Sequence, residues 1–300
     1  MTKTDLAALL ALGSALCIAI GDVLQQRAAH RITDSPVGHI ALFGRLLRNR
    51  RWWWGTALLA ASIALQAAAL GQGSVLLVQA LLMLSVLFAL PINARLARRT
   101  VTGAEWIWGA LLTGAVIVVV TVGHPQAGRS SASLGTWAPV AMVLGPLLVA
   151  CVAVGRIRGG ALAAALFAFV SGSLWGVFAV LTKEAVARLG EGGWAVARAP
   201  ELYACVLVAL GGVVWSQSAF RAGPLTASMP TLAVSQPVVA AVLGVVVLDE
   251  TLRAGRAVMV ALVVAALVMT VAIVRLARVE AAATDRQADS QRQDLVRESG

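Results

Sequence analysis

Few side chains in this sequence could do chemistry, and they are set in long apolar runs. Asp22 is the one carboxylate well inside such a run, with Gln25 and Gln26 a turn later. A charged group there is costly, so Asp22 is a candidate for proton coupling or cation binding. Its neighbour Arg27 supports a second reading, an interfacial acid that reaches water or pairs with an arginine. The stretch 221–252 holds a denser set: Ser228, Thr231, Ser235 and Gln236 around Pro230 and Pro237, closing on Asp249-Glu250. Each proline removes a backbone donor and frees the carbonyl four residues back, here Thr226 and Ala233. At ~100° per residue Ser228, Thr231 and Ser235 share one face, with the prolines on the other side. That predicts a partly broken helix lining a cavity, Pro230 beside it; a kinked helix packed on its neighbours is the competing reading.

Further polar positions are thinner. Gln79, Thr182 and Lys183 lie in or at the ends of other apolar runs, and Trp175 sits deep in one. Lys183 reads as a snorkelling interfacial lysine, or as a counter-charge to substrate. Trp175 either walls a cavity or fills space. Interhelical hydrogen bonds explain buried glutamines and serines as well as a ligand does. Glu184, Glu191 and Glu201 read as scattered along a surface-like loop. No zinc-protease, nucleophile-elbow, phosphate-loop or dinucleotide-binding motif occurs. Cys17, Cys151 and Cys205 are unpaired in spacing and fall in apolar runs; His30, His39 and His124 fall in loops. The expectation is no enzyme, no cofactor and no metal site, except Asp22 if a cation is carried.

The elements that must position these residues follow from composition. Of 300 residues 59% are hydrophobic and only 13% charged, with mean hydropathy +0.85; soluble chains carry roughly a quarter charged residues. The formal net charge of +10 would fit nucleic acid in a soluble chain. Here the arginines stand between apolar runs, where topology explains them and no nucleic-acid partner is needed. Nine spans are predicted, near residues 6–26, 52–70, 74–94, 103–123, 137–155, 161–182, 202–220, within 221–252, and 257–276. Residues 39–47 form a short amphipathic piece, RNRRWWWG is an interfacial anchor, and the polar tail from 278 to 300 is expected to be disordered. Lys3, Arg129, Lys183, Arg188, Arg198, Arg253 and Arg256 fall on one side and the rest of the 24 basic residues on the other. The positive-inside rule then puts the N-terminus outside and the C-terminus in the cytoplasm, with Asp249-Glu250 outside as a topological feature.

The spans repeat. Residues 73–106 align with 223–256 at an offset of 150, matching Gly73 to Gly223, Leu82 to Leu232 and Ser85 to Ser235. Span one aligns with span six at an offset of 157, matching Ser14 to Ser171 and Arg31 to Arg188. One span intervenes between the copies, so they run oppositely through the membrane, as in many secondary transporters with midplane sites. The fold expected is an all-α polytopic membrane protein of nine transmembrane helices. It comprises a first repeat and loop (1–133), a linking span (134–159), a second, inverted four-helix repeat (160–277) and the tail (278–300).

GDVLQQRAAHR closing span one, VLLVQALLMLSVLF in span three and GPLTASMPTLAVSQP in span eight resemble the drug/metabolite transporter superfamily. Within it, the nine-span layout resembles the NIPA-like, magnesium-transporter-like branch. The resemblance covers about residues 5–277. It implies a polar–Pro–Ser pattern in both copies, which Pro230 and Ser235 match; Ala80 replaces the proline in the first. It also implies an acidic residue after each of those helices, met by Asp249-Glu250 but not by Arg98-Arg99. The function implied is alternating-access transport across the cell membrane, with lipid and a small-molecule or ion substrate as partners and homo-oligomers compatible. Magnesium holds its water tightly and needs carboxylates, so a small polar or cationic metabolite or drug is preferred, magnesium second and a non-transporting membrane subunit third.

Overall fold

The computed structural model describes residues 2–33, 50–96, 100–189, 199–252 and 256–298. Their helices are α1 (Lys3–Thr33), α2 (Arg50–Gln72), α3 (Val75–Leu82), α4 (Leu84–Leu96), α5 (Gly103–Thr121), α6 (Leu134–Arg158), α7 (Gly160–Leu189), α8 (Pro200–Ala222), α9 (Leu225–Leu248) and α10 (Arg256–Glu298). Two short strands, β1 (Pro125–Gln126) and β2 (Thr251–Leu252), pair antiparallel. With α3 and α4 taken as one span, nine segments among the described residues are long and apolar enough to cross a bilayer. The chain is a multi-pass helical membrane protein, as composition requires. The predicted amphipathic piece at 39–47 lies outside the described residues.

The ends of the helices are written locally. Thr2 and Asp5 form a reciprocal box at the start of α1, with Thr2 N donating to Asp5 Oδ2 at 2.8 Å and Asp5 N to Thr2 Oγ1 at 3.2 Å. Thr102 and Glu105 repeat it at α5, at 2.7 and 3.3 Å. Each box satisfies N–H groups that a helix start leaves unpaired. Pro200 opens α8, where its missing N–H costs nothing.

Two expectations about helix continuity are corrected. Span eight is unbroken through Pro230 and Pro237. Thr231 Oγ1 donates back to Ala227 O at 2.9 Å and Ser235 Oγ to Leu232 O at 3.3 Å, carbonyls other than the two that the prolines free. The interruption falls instead in span three, at Met83 between α3 and α4. No proline or glycine stands there, and nothing in its side chains accounts for the break. The tail also differs, since α10 continues to Glu298. Its Ala, Arg, Gln and Glu are good helix formers, and extending an existing helix avoids the nucleation cost.

The chain divides into two compact units, residues 1–73 with 77–107, and 74–76 with 108–300. In the first, α1 packs on α2 and α4. Ser14, fully buried, donates to Ser62 O at 2.8 Å. In the second, α7 packs on α8 and α9, α10 on α9, and α6 on α7. Ser171, also fully buried, donates to Gly212 O at 2.7 Å. The α7–α9 contact is close because Gly172 and Gly176 offer no side chain. A Cβ on Gly176 would lie 2.9 Å from Ala240 N and Gln236 O, and one on Gly172 would collide with the Ser235 hydroxyl. Such small-residue faces let membrane helices approach where no hydrophobic force drives them together. Gly176→Ala is therefore expected to lower stability by about 1–3 kcal/mol. Gly114→Ala, whose Cβ meets nothing within 4 Å, should leave the thermal unfolding midpoint unchanged or raise it, since alanine favours a helix interior; an equal loss in both would refute the packing account.

Candidate functional site

A cavity of about 500 Å³ opens in the second unit between α7, α9 and α10. Ala165 and Phe169 of α7 form one wall and Val274 of α10 another, with Arg278 of α10 also lining it. From α9 come Thr226, Pro230, Thr231, Val234, Ser235 and Val238. Pro230, Thr231 and Ser235 thus face one space. The proline does not lie on the far side, because the cavity spans more of the helix than one narrow stripe. Both Thr231 and Ser235 give their protons to carbonyls of their own helix, which leaves them to a ligand as acceptors.

The other proposed positions are placed differently. Ser228 is fully buried, is not among the lining residues, and its Oγ lacks a hydrogen-bond partner. Gln79 is 3% exposed with Nε2 unpartnered; it belongs to the first unit. Gln236 lies on α9 but not in the lining, and its carbonyl oxygen would meet a Cβ on Gly176. Trp175 packs its indole over Gly212 and edge-on to Phe178, at 5.4 Å between centroids, away from the cavity. Thr182 donates to Phe178 O at 2.7 Å, within its own helix. Asp22, Gln25 and Gln26 lie on α1 just past the apolar window ending at Gly21, and their side chains are outside the described residues.

Beyond the C-terminal end of α9, a polar node replaces what the sequence presented as a topological acidic pair. Asp249 takes the left-handed conformation, φ 52°, and turns the chain so that Glu250 N meets Gly244 O at 3.0 Å. The Glu250 side chain then folds inward, 0% exposed. Its Oε1 accepts from Lys183 Nζ at 2.5 Å and from Val75 N at 2.7 Å, and its Oε2 from Leu76 N at 3.1 Å. Glu250 therefore caps the first turn of α3 while neutralising Lys183, and the partly positive helix start adds to the attraction. Lys183 is neither snorkelling nor exposed, with 6% of its side chain accessible. No local pattern announces this node, since the partners are 67 and 175 positions apart.

Glu184, next to Lys183, is likewise no surface residue. It is 1% exposed and accepts from Ala132 N at 2.9 Å and from the Trp137 indole at 3.2 Å. The segment before α6 is thus strapped across the ends of α7 and α9. The β1–β2 ladder, Arg129 N on Leu248 O at 2.6 Å and the exposed Arg129–Asp249 pair at 2.7 Å complete the strap. Exposed pairs of that last kind add little; the buried node and the main-chain bonds hold it.

No group of three or more His, Cys, Asp or Glu converges as a metal site among the described residues. Fold and site define a multi-pass helical membrane protein with an apolar-walled cavity on α9 and a buried ion pair beyond that helix's C-terminal end. The chain belongs to the family of an uncharacterized protein of Corynebacterium glutamicum, to which it is 35% identical over 257 residues, 83% of this chain and 87% of that protein. No protein-family model matches the chain, and no solved structure matches it.

Removing one member of a buried ion pair strands the other. Lys183→Met and Glu250→Gln are each expected to cost roughly 3 kcal/mol. The double variant should cost clearly less than the two together, read from unfolding midpoints of the purified protein. Simple additivity would contradict direct pairing.

Proposed function

We propose that this protein is a secondary transporter of the drug/metabolite transporter type, moving a small organic metabolite across the cell membrane by alternating access. The observation that carries the proposal is a buried hydrogen bond present in both units. Ser14 and Ser171 are matched by the offset of 157, and their acceptors, Ser62 and Gly212, by the offset of 150. Two positions matched independently along the chain thus bond in the same way. Helix partners agree: α1 touches spans two and three, and α7 touches spans seven and eight. This supports the internal repeat, and inverted repeats with interrupted helices are the usual build of secondary transporters.

The cavity on α9 supplies the substrate space and the Lys183–Glu250 node a closed end. Among the described residues the one charged lining residue is Arg278, so a cation, organic or divalent, ranks below a neutral or anionic molecule. Magnesium transport is the second reading, resting on the NIPA-like resemblance. The arginine distribution keeps the N-terminus outside and α10 leading into the cytoplasm.

In proteoliposomes the wild type is expected to accumulate at least one member of a panel of labelled organic metabolites saturably, with Glu250→Gln altering the rate. Asp22→Asn should remove dependence on a proton gradient. Absence of flux for every member, with folded protein, would contradict transport; growth rescue of a magnesium-transport-deficient host would favour the second reading.

A further inference from the structure

The cavity differs from a site for a small hydrophilic solute in two ways. Its walls are Ala165, Phe169, Pro230, Val234, Val238 and Val274, and its two deeper hydroxyls already donate to their own helix. Apolar surface without free donors favours a hydrocarbon chain over a polyol or zwitterion. Polarity is concentrated instead at Arg278 and Thr226. Thr226 stands in the first turn of α9, which begins at Leu225, so the partial positive charge of that helix start lies beside it.

Arg278 also differs from its neighbour Arg275. The Arg275 guanidinium lies over the Trp108 ring, 5.7 Å from its centroid. Arg278 lines the cavity with no ion pair or ring contact among the described residues. Val238 is 46% exposed, so the space is open at the surface of the unit, where a membrane helix meets lipid. A solute leaving the bilayer sideways would enter tail first along Val238 and Val234 and leave its head at Arg278.

We propose that this cavity binds an amphiphile with a single anionic head group, carboxylate or phosphate, and one hydrocarbon chain, admitted laterally from the membrane. Arg278 and Thr226 hold the head; Phe169, Val234 and Val238 hold the chain. A chain of this kind fits about 500 Å³, within the usual range for a ligand site. The assignment of the bound molecule as cargo rests on the transporter reading; binding itself does not.

The test uses the full chain in nanodiscs of neutral phosphatidylcholine, with dansyl-undecanoic acid as probe. Saturable binding is expected, weakened roughly tenfold by Arg278→Gln through loss of a charge-assisted contact. Val238→Trp, at an exposed position and hence compatible with folding, should block it. The methyl amide of the probe should bind as weakly to wild type as the acid does to Arg278→Gln. Lysophosphatidate should displace the probe, whereas displacement by inorganic phosphate at the same concentration would mark a small-anion site and overturn the amphiphile. Unsaturable partition equal in all three proteins would overturn the site. Binding without flux of any amphiphile in proteoliposomes would leave the site standing and reject the transporter reading; flux of a hydrophilic solute insensitive to Val238→Trp would do the reverse.

Discussion

A carboxylate withdrawn from water must be paid for by its neighbours, and Glu250 shows how this chain does it. Three donors from two distant stretches converge on its two oxygens: Lys183 from α7, and the first N–H groups of α3. The desolvation cost of the pair is several kcal/mol per ion, so the node persists only while all three stay in place. That makes it a constraint on the unit. The start of α3, the end of α7 and the turn after α9 are fixed to one point, and Glu184 adds the segment before α6 through Ala132 and Trp137. Elements held only while every partner is present come free together when one partner is lost.

The close approach of α7 and α9 is a separate requirement. Gly172 and Gly176 bring Ser235 and Gln236 against α7, and the cavity opens on the other part of the α9 surface, toward α10. The hydroxyls of Thr231 and Ser235 serve the helix before they serve any ligand. The helix runs on through both prolines, so the cavity wall stays continuous.

The class of fold was legible from composition and from the length of each apolar run, since a bilayer fixes both. Span limits agree to within a few residues, for example 202–220 expected against Pro200–Ala222 for α8. The capping boxes at Thr2 and Thr102 are local and stand in the sequence as T-x-x-D and T-x-x-E. The cavity takes Thr231 and Ser235 from the polar face read in the sequence but not Ser228, and it takes Pro230 from what the periodicity put on the other side. What could not be read was long-range pairing. Glu250 and Lys183 each sit at a span end, where the sequence rule assigns charges to topology. Only the fold brings them together. Glu184 was hidden in the same way. The break at Met83 had no sequence cue, whereas the prolines gave a strong cue for a break that does not occur.

The most direct test of the node is amide hydrogen exchange of the protein in nanodiscs, comparing wild type with Glu250→Gln. If the carboxylate holds the start of α3 and the strap together, the amides of Val75 and Leu76 and those of the segment around Arg129 to Ala132 should lose protection together, with residues 54–72 of α2 unchanged. Unaltered protection at Val75 and Leu76 would contradict the account.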